Sequence, residues 1–246
     1  MSVPPAWLRV ATYNVHGCVG TDGVRSERRI AEVIGSLNVD IAGLQELDLN
    51  RPRSGRVDQA ALIAAELGWH RYFHPAFKSQ DQEYGDAVIS RFPLTMQRAA
   101  ELPAKAPWYC RESRGAIWVT VSSPEGPCHV INTHLGLGGR ERLVQARLLA
   151  GEKWLGSVPD EALVLMGDFN CRASSAPMTL LAGAVRPGAP AMKSPAAFPS
   201  GRPLMALDHI LVSRHLRVSG LRAVATPLTC RASDHLPVVA ELSKGE

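Results

Sequence analysis

Several polar residues of this chain stand where apolar runs stop or begin. In Leu163-Val-Leu-Met-Gly167-Asp168-Phe-Asn170 four apolar residues lead straight into a glycine, a carboxylate and a carboxamide. Taken alone this is a buried strand that ends either in chemistry or in an ordinary Gly/Asp/Asn turn. Asn14, Glu46 and His134 close comparable runs, whereas Asp208 and Asp234-His235 open others. In a mixed sheet, antiparallel strands bring C-terminal ends and N-terminal starts to one edge, so these residues can share a cleft. The carboxylates Glu46, Asp168 and Asp234 would repel one another there unless a cation sat among them. Oxygen ligands of this kind suit Mg²⁺, Mn²⁺ or Ca²⁺ rather than zinc, and Mg²⁺ leaves room for a substrate phosphate. Two histidines beside such an ion point to proton transfer or contact with a phosphate oxygen.

The elements that must position these groups follow from periodicity. Strands are expected at Leu8–Tyr13, Asp40–Glu46, His70–His74, Ala87–Ser90 and Leu94–Ala100, then at Gly115–Val121 and His129–His134. Three more are expected near the end, at Leu207–Val212, Val218–Thr226 and Leu236–Leu242. Apolar residues at three- and four-residue spacing predict a helix over Arg25–Leu37, capped by Ser26. A second helix covers Asp58–Leu67 with Leu62, Ile63 and Leu67 inward, and a third follows Gly138-Gly139 and carries Leu143 through Trp154. Pro103–Arg114 reads as a surface loop, and Ala182–Pro203, crowded with Ala, Gly and Pro, reads as a long loop.

Composition sets the frame. The 246 residues, 46% of them hydrophobic, suffice for one domain spanning 1–246. A net charge of +4 permits phosphate-bearing partners without demanding them, and the Arg-over-Lys bias is ascribed to coding composition. Nucleic acid is a possible partner. The five cysteines form no C-x-x-C pair, which speaks against a disulfide framework or a zinc site and fits a reducing compartment. With no signal-like start and no apolar run long enough to cross a bilayer, a cytoplasmic protein is expected, with a monomer as a reasonable state.

Together, Thr12-Tyr-Asn14-Val-His-Gly17, Leu44-Gln-Glu46, Tyr84-Gly-Asp86-Ala-Val-Ile-Ser-Arg-Phe-Pro-Leu94, Ile131-Asn-Thr-His134, Gly167-Asp168-Phe-Asn170, Leu207-Asp208-His and Ser233-Asp234-His235 resemble an ordered motif set. It is that of the endonuclease/exonuclease/phosphatase (DNase I-like) superfamily. The resemblance implies a four-layer α/β sandwich, with two mixed β-sheets packed face to face and helices outside. It also implies metal-assisted phosphoester hydrolysis by in-line attack of water, with Mg²⁺ (or Mn²⁺) as cofactor. Glu46 would be the principal metal ligand, with Asn14 and Asp234 beside the metal directly or through water. Asp168 would orient and deprotonate the water, and Asn170 would hold it or a phosphate oxygen. His235, its ring fixed by Asp208, would donate to the phosphoryl oxygen; His134 would be a second phosphate donor or the acid for the leaving group. Asn132, two residues before His134 on the same strand face, is expected in the cleft. Arg114 is a candidate phosphate clamp, with a plain surface arginine as the alternative.

Two departures stand out. Asp86 replaces the Asn of the family's Tyr-Gly-Asn-Ala, and His16 stands where apurinic endonucleases carry an aspartate, which argues against assuming a second metal. The compact motif set looks most like bacterial members grouped with sphingomyelinase-like and tyrosyl-DNA-phosphodiesterase-like hydrolases. A phosphodiesterase acting on a small, lipid-derived or nucleic-acid-end diester is the first expectation. A metal-dependent endonuclease or exonuclease is the second, and a non-catalytic phosphate-binding module the alternative from another class.

Overall fold

The computed structural model describes residues 7–104, 112–188 and 193–245. The expectations for Met1–Ala6, for Cys110, and for the central parts of the Pro103–Arg114 and Ala182–Pro203 loops lie outside the described residues.

The sheets confirm the expected architecture. One has six strands in the order β10 (Leu216–Ala223), β11 (Val238–Lys244), β1 (Leu8–Asn14), β2 (Ile41–Leu49), β4 (Gln82–Ser90) and β3 (His70–Ser79). The other has five, β5 (Leu94–Leu102), β6 (Arg114–Ser123), β7 (Gly126–His134), β8 (Leu163–Asp168) and β9 (Asp208–Val212). Both are mixed: β1 runs parallel to β2 and β7 parallel to β8, while β11 and β9 pair antiparallel to β1 and β8. The C-terminal ends of β1, β2, β7 and β8 therefore meet the beginnings of β9 and β11 at one edge.

Burial sorts into layers. Val10, Ile41, Val88, Ile117, Val130, Val164, Met166 and Val238 face one another between the sheets. The outer face of the six-stranded sheet is covered by α1 (Glu27–Ser36), α2 (Gln59–Leu67) and α5 (Pro227–Ala232). That of the five-stranded sheet is covered by α3 (Gly139–Ala150) and α4 (Ala176–Val185). The result is helix, sheet, sheet, helix, the stable way to bury one apolar face of each helix and both faces of each sheet.

The predicted cap is in place: Ser26 Oγ accepts the Arg29 N–H at 3.1 Å. Asp58, expected as the first residue of the second helix, stands one position outside it as its N-cap, with Oδ1 accepting the Ala61 N–H at 2.8 Å. Elsewhere the structure corrects the expectations. Leu62 points outward and is 46% exposed. Trp154 lies beyond α3 but is buried under it. Helix α4 enters the stretch read as loop from Ala182; its apolar sequence lacks the polar face that marks an amphipathic helix. The strand expected to run to Thr226 stops at Ala223, where Thr226 caps α5.

The two sheets are joined by more than apolar contact. Asn132 on β7 points away from the cleft into the opposite sheet. Its Nδ2 donates to Leu44 O at 3.0 Å and Ala87 O at 2.9 Å, and its Oδ1 accepts from Gln45 Nε2 at 2.7 Å. Both amide protons and the carbonyl are thus committed to β2 and β4, which overturns Asn132 as a phosphate ligand. The side chain can come so close because residue 43 is glycine, where a Cβ would stand 2.7 Å from Asn132 Oδ1. Asn132→Ala is expected to remove three buried hydrogen bonds to β2 and β4 and to cost about 3 kcal/mol. Urea unfolding should show a lower midpoint at an unchanged slope; a loss below about 1 kcal/mol would show that the amide is dispensable.

Candidate active site

Asp168 ends β8 and is the hub of the cleft. Gly167 before it has φ +155°, and a Cβ there would lie 1.8 Å from Thr133 O, so only glycine lets β7 and β8 close together at this point. Asp168 Oδ1 accepts the N–H of Asn170, itself in the left-handed region at φ +51°, at 2.9 Å. Its Oδ2 accepts from Asn14 Nδ2 at 3.1 Å and lies 3.5 Å from His134 Nε2 and 3.8 Å from His235 Nε2. Burial, then the nearby Asp208, raises the proton affinity of Asp168, with His235 opposing.

Glu46 was expected at the end of its strand. It lies instead inside β2, at a bulge where Gln45 and Glu46 together face Asp86 of β4. The bulge gives Glu46 φ +64°, an uncommon conformation for a non-glycine residue. Burial raises its pKa, opposed by the 2.9 Å hydrogen bond from Asn14 Nδ2 to Oε1. The Asp86 side chain accepts the Glu46 backbone N–H and is pushed by burial to about 8, so Asp86 both supports the bulge and sits close enough to the site to feel Glu46 and Asp168.

Asn14 joins the two acids through its nitrogen. Its Oδ1 accepts the His16 N–H at 3.0 Å, which fixes the amide orientation and turns donors, not the oxygen expected of a metal ligand, toward Glu46 and Asp168. Asp234 is partly exposed, 3.8 Å from His16 Nδ1, and receives a 3.3 Å bond from Ser233 Oγ.

The two histidines differ in charge. His235 Nδ1 lies 3.0 Å from Asp208 Oδ2; although burial opposes its charge, Asp208 foremost holds its pKa up at about 9. His134 is driven well below the ordinary value by burial, then by Arg114 and His235. The guanidinium Nη1 of Arg114, 3.1 Å from His134 Nδ1, favours the neutral tautomer with its proton on Nε2, whereas Asn170 Nδ2, 3.1 Å from Nε2, favours the opposite one. Arg114 is only 3% exposed and bonded to Glu112 Oε2 at 2.8 Å, which removes the surface-arginine reading. Asn170 Nδ2 donates to Leu135 O at 2.9 Å and lies 3.1 Å from His134 Nε2.

Of the residues expected in the cleft, the structure brings together Asn14, Glu46, Arg114, His134, Asp168, Asn170, Asp208, Asp234 and His235. It excludes Asn132. Sequence reasoning assigned nothing to Ser233, whose Oγ donates to Asn14 O at 2.8 Å and ties the His235 loop to β1, or to Phe198, whose ring packs 4.7 Å from that of His235. Ser233 stood within a quoted motif; Phe198 in a Pro/Ala-rich stretch carried no signal.

The donor set fits a hard divalent cation. Glu46, Asp168, Asp208 and Asp234 offer oxygen, buried carboxylates are pushed toward protonation for want of positive charge, and Asp208 Oδ1 is buried without a partner among the described residues. Asp168, Asp208 and His235 place one atom each within 4.8 Å of one another. Because Asp208 is already bound to His235, we read that trio as an acid–histidine pair beside the nucleophile position rather than as the cation's cage.

The fold and family are shared with known proteins. The protein YbhP of Escherichia coli K12 is 32% identical over 167 residues, which cover 65% of this chain; the match spans 62% of YbhP's length, less than two thirds. A solved endonuclease/exonuclease/phosphatase from Beutenbergia cavernae superposes with a TM-score of 0.74 at 24% identity, covering 97% of this chain and 72% of that one. The human Nocturnin catalytic domain gives 0.71 at 22%, covering 99% and 96%. A mannosyl-6-phosphatase from Bacteroides thetaiotaomicron gives 0.69 at 20%, covering 96% and 99%. At these identities the solved structures establish the fold alone. The model of the Endonuclease/Exonuclease/phosphatase family matches residues 11–235, and the chain belongs to that family.

Proposed function

We propose that the chain acts as a single-domain, divalent-metal-dependent phosphodiesterase that cleaves its substrate by in-line attack of water on phosphorus. Family members are phosphoric ester hydrolases. The observation that carries the reading is the placement of one buried carboxylate, Asp168, between a charged histidine at 3.8 Å and a neutral one at 3.5 Å.

Asp168 takes the proton of the attacking water, a role suited by its raised basicity and by the Asn170 and Asn14 hydrogen bonds that hold it still. The Asn170 side-chain oxygen accepts from the same water. His235, charged through Asp208, donates from Nε2 to a non-bridging phosphoryl oxygen as negative charge builds there. His134, neutral and in the Nε2–H tautomer that Arg114 favours, donates a second hydrogen bond as Asn170 Nδ2 gives way to it. Its low proton affinity favours this over service as the leaving-group acid, so the departing oxygen takes its proton from solvent water and Asp168 returns its own to solvent. Glu46 and Asp234 would hold Mg²⁺ or Mn²⁺, with Asn14 bracing Glu46; the ion would supply Lewis-acid neutralisation of phosphate charge. Arg114 holds the His134 tautomer from behind. With Arg114 engaged by Glu112, His235 is the one charged cation paired with Asp168 among the described residues, which suits a diester monoanion better than a monoester dianion.

Release of nitrophenol from bis-(p-nitrophenyl) phosphate in Mg²⁺ or Mn²⁺ tests this directly. EDTA should abolish it, and Asp168→Asn and His235→Ala should each lower kcat by about a hundredfold or more with the fold intact by circular dichroism. Turnover that survives either substitution, or EDTA, sinks the mechanism. Glu46→Gln is expected to weaken Mn²⁺ binding, read by calorimetry, by about tenfold or more; an unchanged affinity would remove Glu46 from the metal site.

A further inference from the structure

A second cavity of about 380 Å³ opens on the other side of Glu46, within the usual range of about 300–1,000 Å³ for small-molecule sites. It shares Glu46 and His16 with the cleft, but Asp168, Asn170, His134 and His235 do not line it. Asn14 spans Glu46 and Asp168, so the cavity lies beyond Glu46 as seen from the base. In an in-line displacement the leaving group departs opposite the water. If Asp168 activates the water, the leaving group points at this cavity.

Its wall chemistry narrows the occupant. Arg53 Nε and Nη2 donate to Asp48 Oδ2 and Oδ1 at 2.8 Å each, and Arg25 Nε lies 3.2 Å from Glu27 Oε1. Each guanidinium is thus neutralised but keeps further N–H donors. Glu46 and Glu112 add acceptors, so a second phosphate would meet carboxylates. The hydroxyl of Tyr84 is buried without a hydrogen-bond partner of normal length among the described residues, and lies near Glu112. The Tyr84 ring, 4% exposed, is flanked by the guanidinium carbons of Arg51 and Arg53 at 5.7 and 5.4 Å, so among the described residues the small His16 imidazole is the one uncovered ring in the wall, a poor platform for a nucleobase. Among the described residues Val19 is the only aliphatic side chain in the wall, too little for an acyl chain.

We propose that this cavity binds the leaving alcohol and selects a neutral polyol, a glycerol, inositol or hexose unit esterified to the phosphate. Each hydroxyl both donates and accepts, so it matches alternating guanidinium and carboxylate groups without adding charge. Arg25 and Tyr84 are the specificity-determining residues. The proposal rests on the phosphodiesterase reading for its orientation.

The test compares bis-(p-nitrophenyl) phosphate, glycerophosphoinositol, a dinucleotide and phosphatidylglycerol vesicles on wild type and Arg25→Met. Glycerophosphoinositol should lead the dinucleotide and the vesicles by tenfold or more in kcat/KM, about the worth of one charge-assisted hydrogen bond. Arg25→Met should raise its KM about tenfold, with a clearly smaller loss on the nitrophenyl ester. Preference for the dinucleotide or the vesicles, or an equal loss on all substrates, overturns the polyol assignment while leaving the hydrolase reading intact. If nothing is cleaved, the hydrolase reading fails and calorimetry decides the cavity. Glycerophosphoinositol bound more tightly than inorganic phosphate, in EDTA as in Mg²⁺, and weakened by Arg25→Met, supports it; no binding overturns it.

Discussion

The site depends on a single carboxamide that never touches it. A β-bulge breaks the ladder between β2 and β4 just where Glu46 must turn its carboxylate into the cleft, and such a break leaves backbone groups to be paired some other way. Asn132, from the opposite sheet, donates to Leu44 O and Ala87 O on the two strands that flank the break. Asp86 takes the N–H of Glu46 from the other side. The strained backbone at φ +64° is thus held by groups from both sheets, the condition under which an unfavourable conformation persists in a folded chain. Because the clamp reaches across the sandwich, it also sets the spacing of the sheet that carries Glu46 from the one that carries Asp168.

Sheet topology supplies the rest. Parallel pairing of β7 with β8 and of β1 with β2 places His134 beside Asp168 and Asn14 beside Gln45; antiparallel β9 returns Asp208 opposite Asp168. The hydrogen bonds at this edge then divide labour between two carboxylates. Asp208 gives its Oδ2 to His235 and keeps that ring charged, while Asp168 takes hydrogen bonds only from neutral amides. One acid serves a histidine, and in the proposed mechanism the other is left to act on water.

Much of this was legible in the sequence because both cues obey short-range rules. Apolar runs with polar ends mark where a strand leaves the core, and serine ahead of an apolar helix marks a cap, so Ser26, Asp168 and Asp208 fell where expected. Asn132 misled because strand alternation says which residues share a face and not which face is the cleft; His134 reaches the site from the strand end, whereas Asn132, two residues inside, meets the other sheet. The bulge at Glu46 left no mark, since it arises from register against β4. Helix α4 escaped because its outward positions Ala176, Thr179, Leu180, Gly183 and Ala184 carry no charge, so the single buried face made by Met178, Leu181, Ala182 and Val185 does not stand out in the sequence.

The same accounting explains why Asn14 faces Glu46 and Asp168 with its nitrogen. Two buried carboxylates sharing one partner need positive charge or donors, and the amide supplies two N–H groups where a cation would otherwise be required. Its oxygen cannot turn toward them without breaking the bond from the His16 N–H and setting three acceptors face to face. A divalent ion entering beside Glu46 therefore competes with the Asn14 amide for the Glu46 oxygens, and its affinity reflects that exchange rather than binding to an empty acidic cage. His16, which stands where some members of the family carry an aspartate, pushes in the same direction: its backbone locks Asn14, and its ring stands beside Asp234 where another carboxylate would have added ligand charge. Fewer negative ligands on this side favour one cation over two in the proposed mechanism, and leave the wall beyond Glu46 to the proposed leaving alcohol.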